Sequence, residues 1–162
     1  MKKIISLLLI AAMSICLLAA CGEKAPESKN VDLNAFYTEL TTKYGENFPA
    51  TMNVAETDEM LEMVFPGLKD IETKQLLAYQ PMMGAVVCEI VLVEVADAKD
   101  VESVKTILQN RIQTQVDGGA WYPESIEGWK NNSEVVVNGN YLMMIAYSER
   151  TDVVAAFNAL FA

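Results

Sequence analysis

The strongest constraint on the fold is an Asn-Gly pair between two runs of strand-forming residues near the end of the chain. Residues 135–137 are three consecutive valines, and residues 141–145 read Tyr-Leu-Met-Met-Ile. Asn138-Gly139 between such runs predicts a β-hairpin with a type I′ turn, because both central residues of that turn need a positive φ. Any fold of this chain therefore has to accommodate an antiparallel strand pair at residues 135–145.

A second, nearly continuous apolar run at residues 86–95 predicts a central strand. Its β-branched composition predicts that both of its faces are covered, with Glu89 or Glu94 near an end or an edge. Residues 75–80 form a further predicted strand, and Gly84 separates the two. Because Glu89 and Glu94 are five positions apart, they point to opposite faces of a strand and cannot act as an acid/base pair.

Helical periodicity marks the rest of the chain. Apolar residues recur every three or four positions in five segments. The first follows Asp32, the second covers residues 58–65, the third runs from Asp97 to about Val116, the fourth follows Pro123, and the fifth follows the capping pair 151–152. The predicted order is α-α-β-β-α-α-β-β-α. It predicts a single α+β domain over residues 31–162, with an antiparallel four-stranded sheet built from two hairpins and with segregated helices.

The first twenty residues predict an export signal. Lys2 and Lys3 form a basic start, residues 4–18 are apolar except for two serines, and two alanines precede Cys21. This is the arrangement of a secretory signal peptide, and the apolar run is short for a membrane-spanning helix of about 20 residues. The segment 18–22, Leu-Ala-Ala-Cys-Gly, resembles a bacterial lipobox, in which the cysteine thiol receives a diacylglyceryl group and becomes the first residue after cleavage.

The lipobox predicts a membrane anchor at the extracytoplasmic face of the cell membrane. Residues 1–20 are then the lipoprotein signal peptide, and residues 21–30 are the lipidated Cys21 and a polar, flexible tether. Two acyl chains anchor a protein stably where one is marginal, at about 0.8 kcal/mol per buried CH₂ group. The alternative is an uncleaved N-terminal anchor with an incidental cysteine.

The charge balance excludes nucleic acid as a partner. The chain has 12 Lys and Arg, 22 Asp and Glu and no His, which gives a net charge of −10. Cleavage after residue 20 removes two lysines and leaves a net charge of −12. Nucleic-acid binding depends on Lys and Arg that neutralise phosphates. The absence of histidine also excludes Ser-His-Asp and Cys-His catalysis and every zinc site that uses histidine.

The cysteines and the remaining motifs indicate no catalytic site. Cys16 leaves with the signal peptide and Cys21 is acylated, so Cys88, within an apolar run, is predicted to be a buried and inert thiol. Phosphate-binding glycine motifs and a G-x-S-x-G elbow are absent from the sequence. The acidic cluster at 56–62 lacks the ligand pattern of a calcium loop and is interpreted as a solvated helix start. We therefore expect no catalytic residue, no metal and no cofactor.

Aromatic residues and methionines in two predicted connections are the candidate contacts. The predicted binding surface consists of Tyr79, Met82, Met83, Trp121 and Tyr122. Trp and Tyr are typical anchors of interfaces and glycan platforms, and methionines adapt to their partners. Core packing is the default interpretation of Trp121, Tyr122 and Trp129. On the binding hypothesis, the two segments form one patch at one end of the sheet, with Trp121 or Tyr122 partly exposed and Trp129 more buried.

Several segments together carry a family resemblance. They are residues 78–83 (Ala-Tyr-Gln-Pro-Met-Met), residues 138–142 (Asn-Gly-Asn-Tyr-Leu), and Arg111 eleven residues before Tyr122-Pro123. With the lipobox, their order and spacing resemble the bacterial lipoprotein family of domain of unknown function 4358, common in clostridia, over about residues 31–160. The resemblance implies an envelope lipoprotein encoded near membrane-bound acyltransferases of envelope polysaccharide modification. It implies no catalytic residue, and Arg111 is interpreted as the structural pair of a nearby carboxylate.

The sequence therefore predicts a non-enzymatic binding or assembly module of the cell envelope. Its expected partners are the membrane, through Cys21, and an envelope protein or glycan. The alternative is a carboxylate-dependent cell-wall glycan hydrolase, or an accessory factor in envelope polysaccharide modification, because Asp and Glu are the only abundant acid/base groups. Two inward carboxylates about 5–9.5 Å apart in a cleft would favour the hydrolase, and a cleft without acids would favour binding.

Overall fold

A five-stranded antiparallel sheet with the order β1-β2-β3-β5-β4 organises the domain. The computed structural model that shows it describes residues 30–162. The strands are β1 (Met52–Asn53), β2 (Thr73–Gln80), β3 (Glu89–Val95), β4 (Ser133–Asn138) and β5 (Tyr141–Ala146). The α+β class and the two predicted hairpins, β2–β3 and β4–β5, are confirmed.

Within residues 30–162, five α-helices cover the sheet. They are α1 (Leu33–Tyr44), α2 (Asp58–Val64), α3 (Val101–Thr114), α4 (Pro123–Asn132) and α5 (Arg150–Ala159). Buried residues of α1 and α5 pack on one face of the sheet, and those of α2, α3 and α4 pack on the other. The helices thus lie on both faces instead of being segregated to one side, and the sheet is the middle one of three layers.

The predicted number of strands, four, is wrong by one. β1 adds a two-residue edge strand to β2, in which Met52 pairs with Gln80 and Asn53 with Tyr79. Two residues are too few to show the alternation of polar and apolar side chains by which a strand is recognised in a sequence. The extra strand lies beside the end of β2, where the candidate surface begins.

The centre of the sheet is β3, and all seven of its residues are buried. Ile90 and Leu92 face α1 and α5, whereas Val91 and Val93 face α2, α3 and α4. A strand covered on both faces has a continuous apolar sequence rather than an alternating one. The prediction that both faces of this run are covered is confirmed.

The β4–β5 hairpin has the predicted position but not the predicted turn. Asn138 pairs with Tyr141, so the two-residue loop is Gly139-Asn140. Gly139 has a φ of 59°, and no non-glycine residue between 30 and 162 has a positive φ. A positive φ at the first central position alone is the pattern of a type II′ turn. The prediction of a type I′ turn is wrong because Asn138 lies in the strand, where its side-chain amide donates to Asn158.

Capping residues set the start of the first helix. The Asp32 side chain accepts hydrogen bonds from the backbone N–H groups of Asn34 and Ala35, at 2.9 and 3.0 Å, and so caps α1. At the other end of the chain, α5 begins one residue before the predicted capping pair 151–152, which lies in its first turn.

The predicted signal peptide at 1–20, the predicted lipidation site Cys21 and residues 22–29 of the predicted tether lie outside the described residues. Within residues 30–162, no helix has the length and the apolar character needed to span a membrane.

Candidate functional site

Four of the five candidate residues are exposed at one end of the sheet. Trp121 is 91% exposed, Tyr122 56%, Met82 83% and Met83 67%. These four residues are called the Trp121 patch below. Large apolar side chains that stay in water next to one another mark interaction surfaces more often than single exposed residues do. The default interpretation of Trp121 and Tyr122 as core residues is therefore wrong.

An open depression joins the two segments that form the patch. Its lining comes from the β2–β3 loop and from the connection between α3 and α4, and consists of Met83, Gly84, Ala85, Gln115, Gly119, Trp121 and Tyr122. Among the residues that the structure describes, this lining includes no carboxylate and no cysteine. The arrangement offers aromatic, thioether and backbone contacts but no acid/base pair.

The β2–β3 loop is held against α4. The buried Ser125 hydroxyl donates a hydrogen bond of 2.9 Å to the carbonyl oxygen of Ala85. Further along α4, a Cβ added to Gly128 would lie 3.0 Å from Cγ2 of Val87. Because both contacts tie the loop to the helix that follows Tyr122, they fix the two segments of the patch relative to each other.

A π-helical turn, Gln115–Gly119, leads the chain out of α3 towards Trp121. Gly118 has a φ of 119°, which glycine adopts readily and other residues do not. A Cβ added to Gly119 would lie 2.8 Å from the carbonyl oxygen of Thr114. The glycine pair at the end of the helix thus also shapes the connection that exposes Trp121.

Trp129 lies in the core, packed with the residues of the α2–α4 face. The Arg111 guanidinium carbon is 5.6 Å from the Trp129 ring centroid and 5.8 Å from that of Phe65. Arg111 also donates two hydrogen bonds to Glu89, from Nε to Oε1 at 2.9 Å and from Nη2 to Oε2 at 2.7 Å. The interpretation of Arg111 as the partner of a nearby carboxylate is confirmed, and Glu89 is that carboxylate.

Tyr79 lies apart from the Trp121 patch. Its half-buried ring stacks on Tyr37, with centroids 4.1 Å apart and an angle of 8° between the planes. Tyr79 packs with the α1 and α5 side of the sheet, whereas its neighbour Ala78 packs with α2, α3 and α4. The predicted grouping of Tyr79 with Met82 and Met83 is therefore wrong, because alternation along β2 turns its ring to the other face.

The first residues of the domain are fixed at the opposite end of β2. Gln75 Nε2 donates to the Val31 carbonyl oxygen and to Glu94 Oε2, both at 2.7 Å. Gln75 Oε1 accepts from the Leu33 N–H at 2.9 Å, and the Tyr141 hydroxyl accepts from the Val31 N–H at 3.3 Å. Sequence reasoning missed this network, although a glutamine and a glutamate in two adjacent apolar strands were a signal for it.

Cys88 is buried, and burial raises the pKa of its thiol to about 12. The thiol therefore stays protonated at neutral pH and has little nucleophilic character. Cys88 lies directly before β3 rather than within the strand.

The buried carboxylates are both engaged. Glu89 and Glu94 lie on opposite faces of β3, as predicted, and bind Arg111 and Gln75 respectively. In residues 30–162, no group of three His, Cys, Asp or Glu side chains could hold a metal ion. The acidic cluster at 56–62 contributes Asp58 and Glu59 to the first turn of α2, where negative charge stabilises the helix.

Comparison with known proteins gives a match to a protein family. The family model described as "Domain of unknown function (DUF4358)" matches residues 47–147, which is more than half of the chain. This region contains all five strands and both segments of the Trp121 patch. The chain matches no curated protein and no solved structure.

Proposed function

The chain belongs to the DUF4358 family, whose description assigns no activity, and we propose that it is a lipid-anchored, non-enzymatic binding or assembly module of the cell envelope. Its contact surface in this proposal is the Trp121 patch. The observation that carries the proposal is the position of Trp121, which is 91% exposed on a connection shaped by Gly118 and Gly119.

An exposed tryptophan is a strong candidate for an interface anchor. Trp and Tyr side chains offer roughly 150–250 Å² of contact area each. At about 25 cal/mol per Å², covering Trp121 alone is worth several kcal/mol before the cost of association. Trp and Tyr are also enriched among the few interface residues that provide most of the binding energy. Met83 lines the same depression and Met82 precedes it in the β2–β3 loop, so the two supply adaptable apolar surface.

The depression beside Trp121 supports binding rather than hydrolysis. Among the described residues, its lining includes no Asp or Glu, and the two buried glutamates of β3 lie on opposite faces of the sheet. A retaining or inverting glycosidase needs two carboxylates that flank one bond of the substrate. A cleft without acids is the arrangement that favours a binding module.

The membrane anchor in the proposal rests on the sequence around Cys21. The domain starts at Val31, so residues 22–30 separate the lipidated cysteine from the fold. A chain of nine residues spans at most about 30 Å, which sets the greatest distance between the lipid surface and the domain in this proposal. We expect Cys21→Ser to abolish fatty-acid labelling, whereas Cys16→Ser leaves it intact. Unchanged labelling of the Cys21→Ser protein would overturn the anchor.

The binding surface is tested with two alanine variants in cells. Trp121→Ala removes the centre of the patch, and Met63→Ala removes a side chain that is 75% exposed outside it. Both variants are expected to keep the wild-type unfolding temperature. Size-exclusion chromatography of the detergent-extracted protein is expected to show a complex that Trp121→Ala alone loses. Absence of a complex in the wild type, or equal behaviour of the two variants, would contradict the proposal.

A further inference from the structure

We infer that the Trp121 patch takes a cationic segment of a partner protein, one in which Lys or Arg residues flank an apolar side chain. The inference rests on the proposed function, in which the patch is the contact surface. It adds the chemical class of the partner.

Both chain segments that form the patch lack basic residues. No Lys, Arg or His occurs between residues 75 and 98 or between residues 112 and 129. Two exposed acids accompany Trp121, namely Asp117 in the π turn and Glu124 in the first turn of α4. The two segments that form the patch are therefore acidic, in a chain whose net charge is already −10.

The nearest basic residues in the sequence are already paired. Arg111 is bound to Glu89 through two hydrogen bonds, and Lys130 lies 3.9 Å from a carboxylate oxygen of Glu127. The acids beside Trp121 thus gain from positive charge that a partner brings. Complementary potentials speed association and exclude partners of the wrong sign.

The apolar residues of the patch suit the side chains of such a segment. A Lys or Arg over the face of Trp or Tyr gains about 0.5–1 kcal/mol at an exposed site. The aliphatic stems of these side chains and an adjacent apolar residue fit against flexible thioethers, which Met82 and Met83 provide. One partner segment can therefore use the acids, the rings and the methionines together.

The same observations disfavour the other occupants. A neutral glycan would gain no Coulomb attraction from the exposed carboxylates of Asp117 and Glu124. An anionic lipid surface repels acidic groups. A second copy of the chain would bring together two surfaces of equal negative charge.

The patch also lies away from the point where the tether enters the domain. Gln75 holds Val31, where the tether enters the domain, and Gln80 ends β2 beside the loop that carries Met82 and Met83. These two positions are five residue steps apart along β2, which corresponds to about 17 Å. A domain anchored through Cys21 thus presents the patch at the end of β2 that is farther from its tether.

A random peptide library displayed on phage tests the inference with purified, lipidated protein in detergent micelles. Peptides are selected for binding to the wild type and counter-selected on Trp121→Ala. We expect the retained peptides to be enriched in Lys or Arg beside an apolar residue. We expect their affinity to fall as salt rises from 50 to 500 mM, because charges of opposite sign are screened.

Two double variants that remove the same amount of charge distinguish the effect of the acids beside Trp121 from the effect of the net charge of the protein. Asp117→Asn combined with Glu124→Gln is expected to weaken the selected peptides roughly tenfold. Glu39→Gln combined with Glu46→Gln removes the same charge from exposed positions on α1 and the turn after it, and is expected to leave affinity unchanged. Equal effects of the two double variants would overturn the inference.

Other outcomes distinguish this inference from the proposed function. Retained peptides that are neutral or acidic, or Trp121-dependent binding of peptidoglycan fragments or phosphatidylglycerol vesicles, would overturn the cationic partner and leave the patch as a contact surface. Peptides, glycan fragments and vesicles that bind the wild type and Trp121→Ala equally would overturn both.

Discussion

The partly buried Arg111 and the buried Glu89 form an ion pair with two hydrogen bonds, of 2.9 and 2.7 Å, between α3 and the start of β3. α3 leads into the turn that presents Trp121, and Glu89 ends the loop that carries Met83. The pair therefore connects the two segments of the Trp121 patch from inside the domain. Its position makes it a structural support of the patch rather than a part of its surface.

Removing one partner of this ion pair is expected to destabilise the domain strongly. Arg111→Met leaves the Glu89 carboxylate buried without its partner, which costs about 3–5 kcal/mol of unfolding free energy. Lys105→Met removes the exposed pair with Glu102 and is expected to cost less than about 1 kcal/mol. Urea unfolding at neutral pH measures both. Equal small losses would show that the Arg111–Glu89 pair does not support the fold.

The two tryptophans are expected to respond in opposite ways to truncation. Trp129→Ala leaves a cavity in the core and is expected to cost about 3–5 kcal/mol of stability. Trp121→Ala removes an exposed side chain, so the change is expected to stay within about 0.5 kcal/mol. Thermal and urea unfolding compare the two variants. A loss of several kcal/mol for Trp121→Ala would place that side chain in the core and remove the main residue of the proposed surface.

Gly119→Ala is expected to distort the turn that exposes Trp121. The new Cβ would lie 2.8 Å from the Thr114 carbonyl oxygen, so the backbone has to shift at a cost of about 1–3 kcal/mol. Gly84→Ala is the control, because a Cβ at that position meets no atom within 4 Å. Urea unfolding measures the loss of stability, and the fluorescence of Trp121 measures the change in its surroundings. An unchanged Gly119→Ala protein would show that the turn tolerates a side chain.

Alkaline pH is expected to destabilise the domain through Cys88. Burial raises the folded-state pKa of its thiol from an ordinary value of 9.0 to about 12. Above pH 9 the unfolded chain loses a proton that the folded chain keeps, so the unfolding free energy falls as pH rises towards 12. Urea midpoints between pH 8 and pH 10 are expected to fall less steeply in Cys88→Ala. Equal slopes, or a native thiol that titrates near pH 9, would contradict the buried position.

Much of the fold can be predicted from the sequence because the patterns that indicate its helices and strands lie within single segments of the chain. Asp32 predicts the start of α1, and the apolar run of β3 predicts a strand covered on both faces. Strand β1 was missed because its partner, the end of β2, lies more than twenty residues further along the chain. The predicted turn type was wrong because the pairing register of β4 and β5, and not the Asn-Gly pair, determines which residues form the loop.

The candidate site was only partly predictable, for a physical reason. Trp121 and Tyr122 occupy a short connection, and no periodic pattern shows whether such a connection folds inward or outward. The π turn that contains Gly118 and Gly119 directs the connection outward. The side of the sheet on which Tyr79 lies was not predicted. Because β2 is covered on both faces, polar and apolar residues do not alternate along it, and the sequence does not show which face each side chain takes.

The central claim, that the Trp121 patch is the functional surface of the anchored protein, is tested most directly by photo-crosslinking in cells. A photoreactive phenylalanine derivative replaces Met82 in the patch or, as a control, the similarly exposed Met63 outside it. The account predicts one discrete adduct from position 82, none from position 63, and loss of the adduct when Trp121→Ala is added. No adduct from position 82, the same adduct from position 63, or an adduct that persists in Trp121→Ala would contradict it.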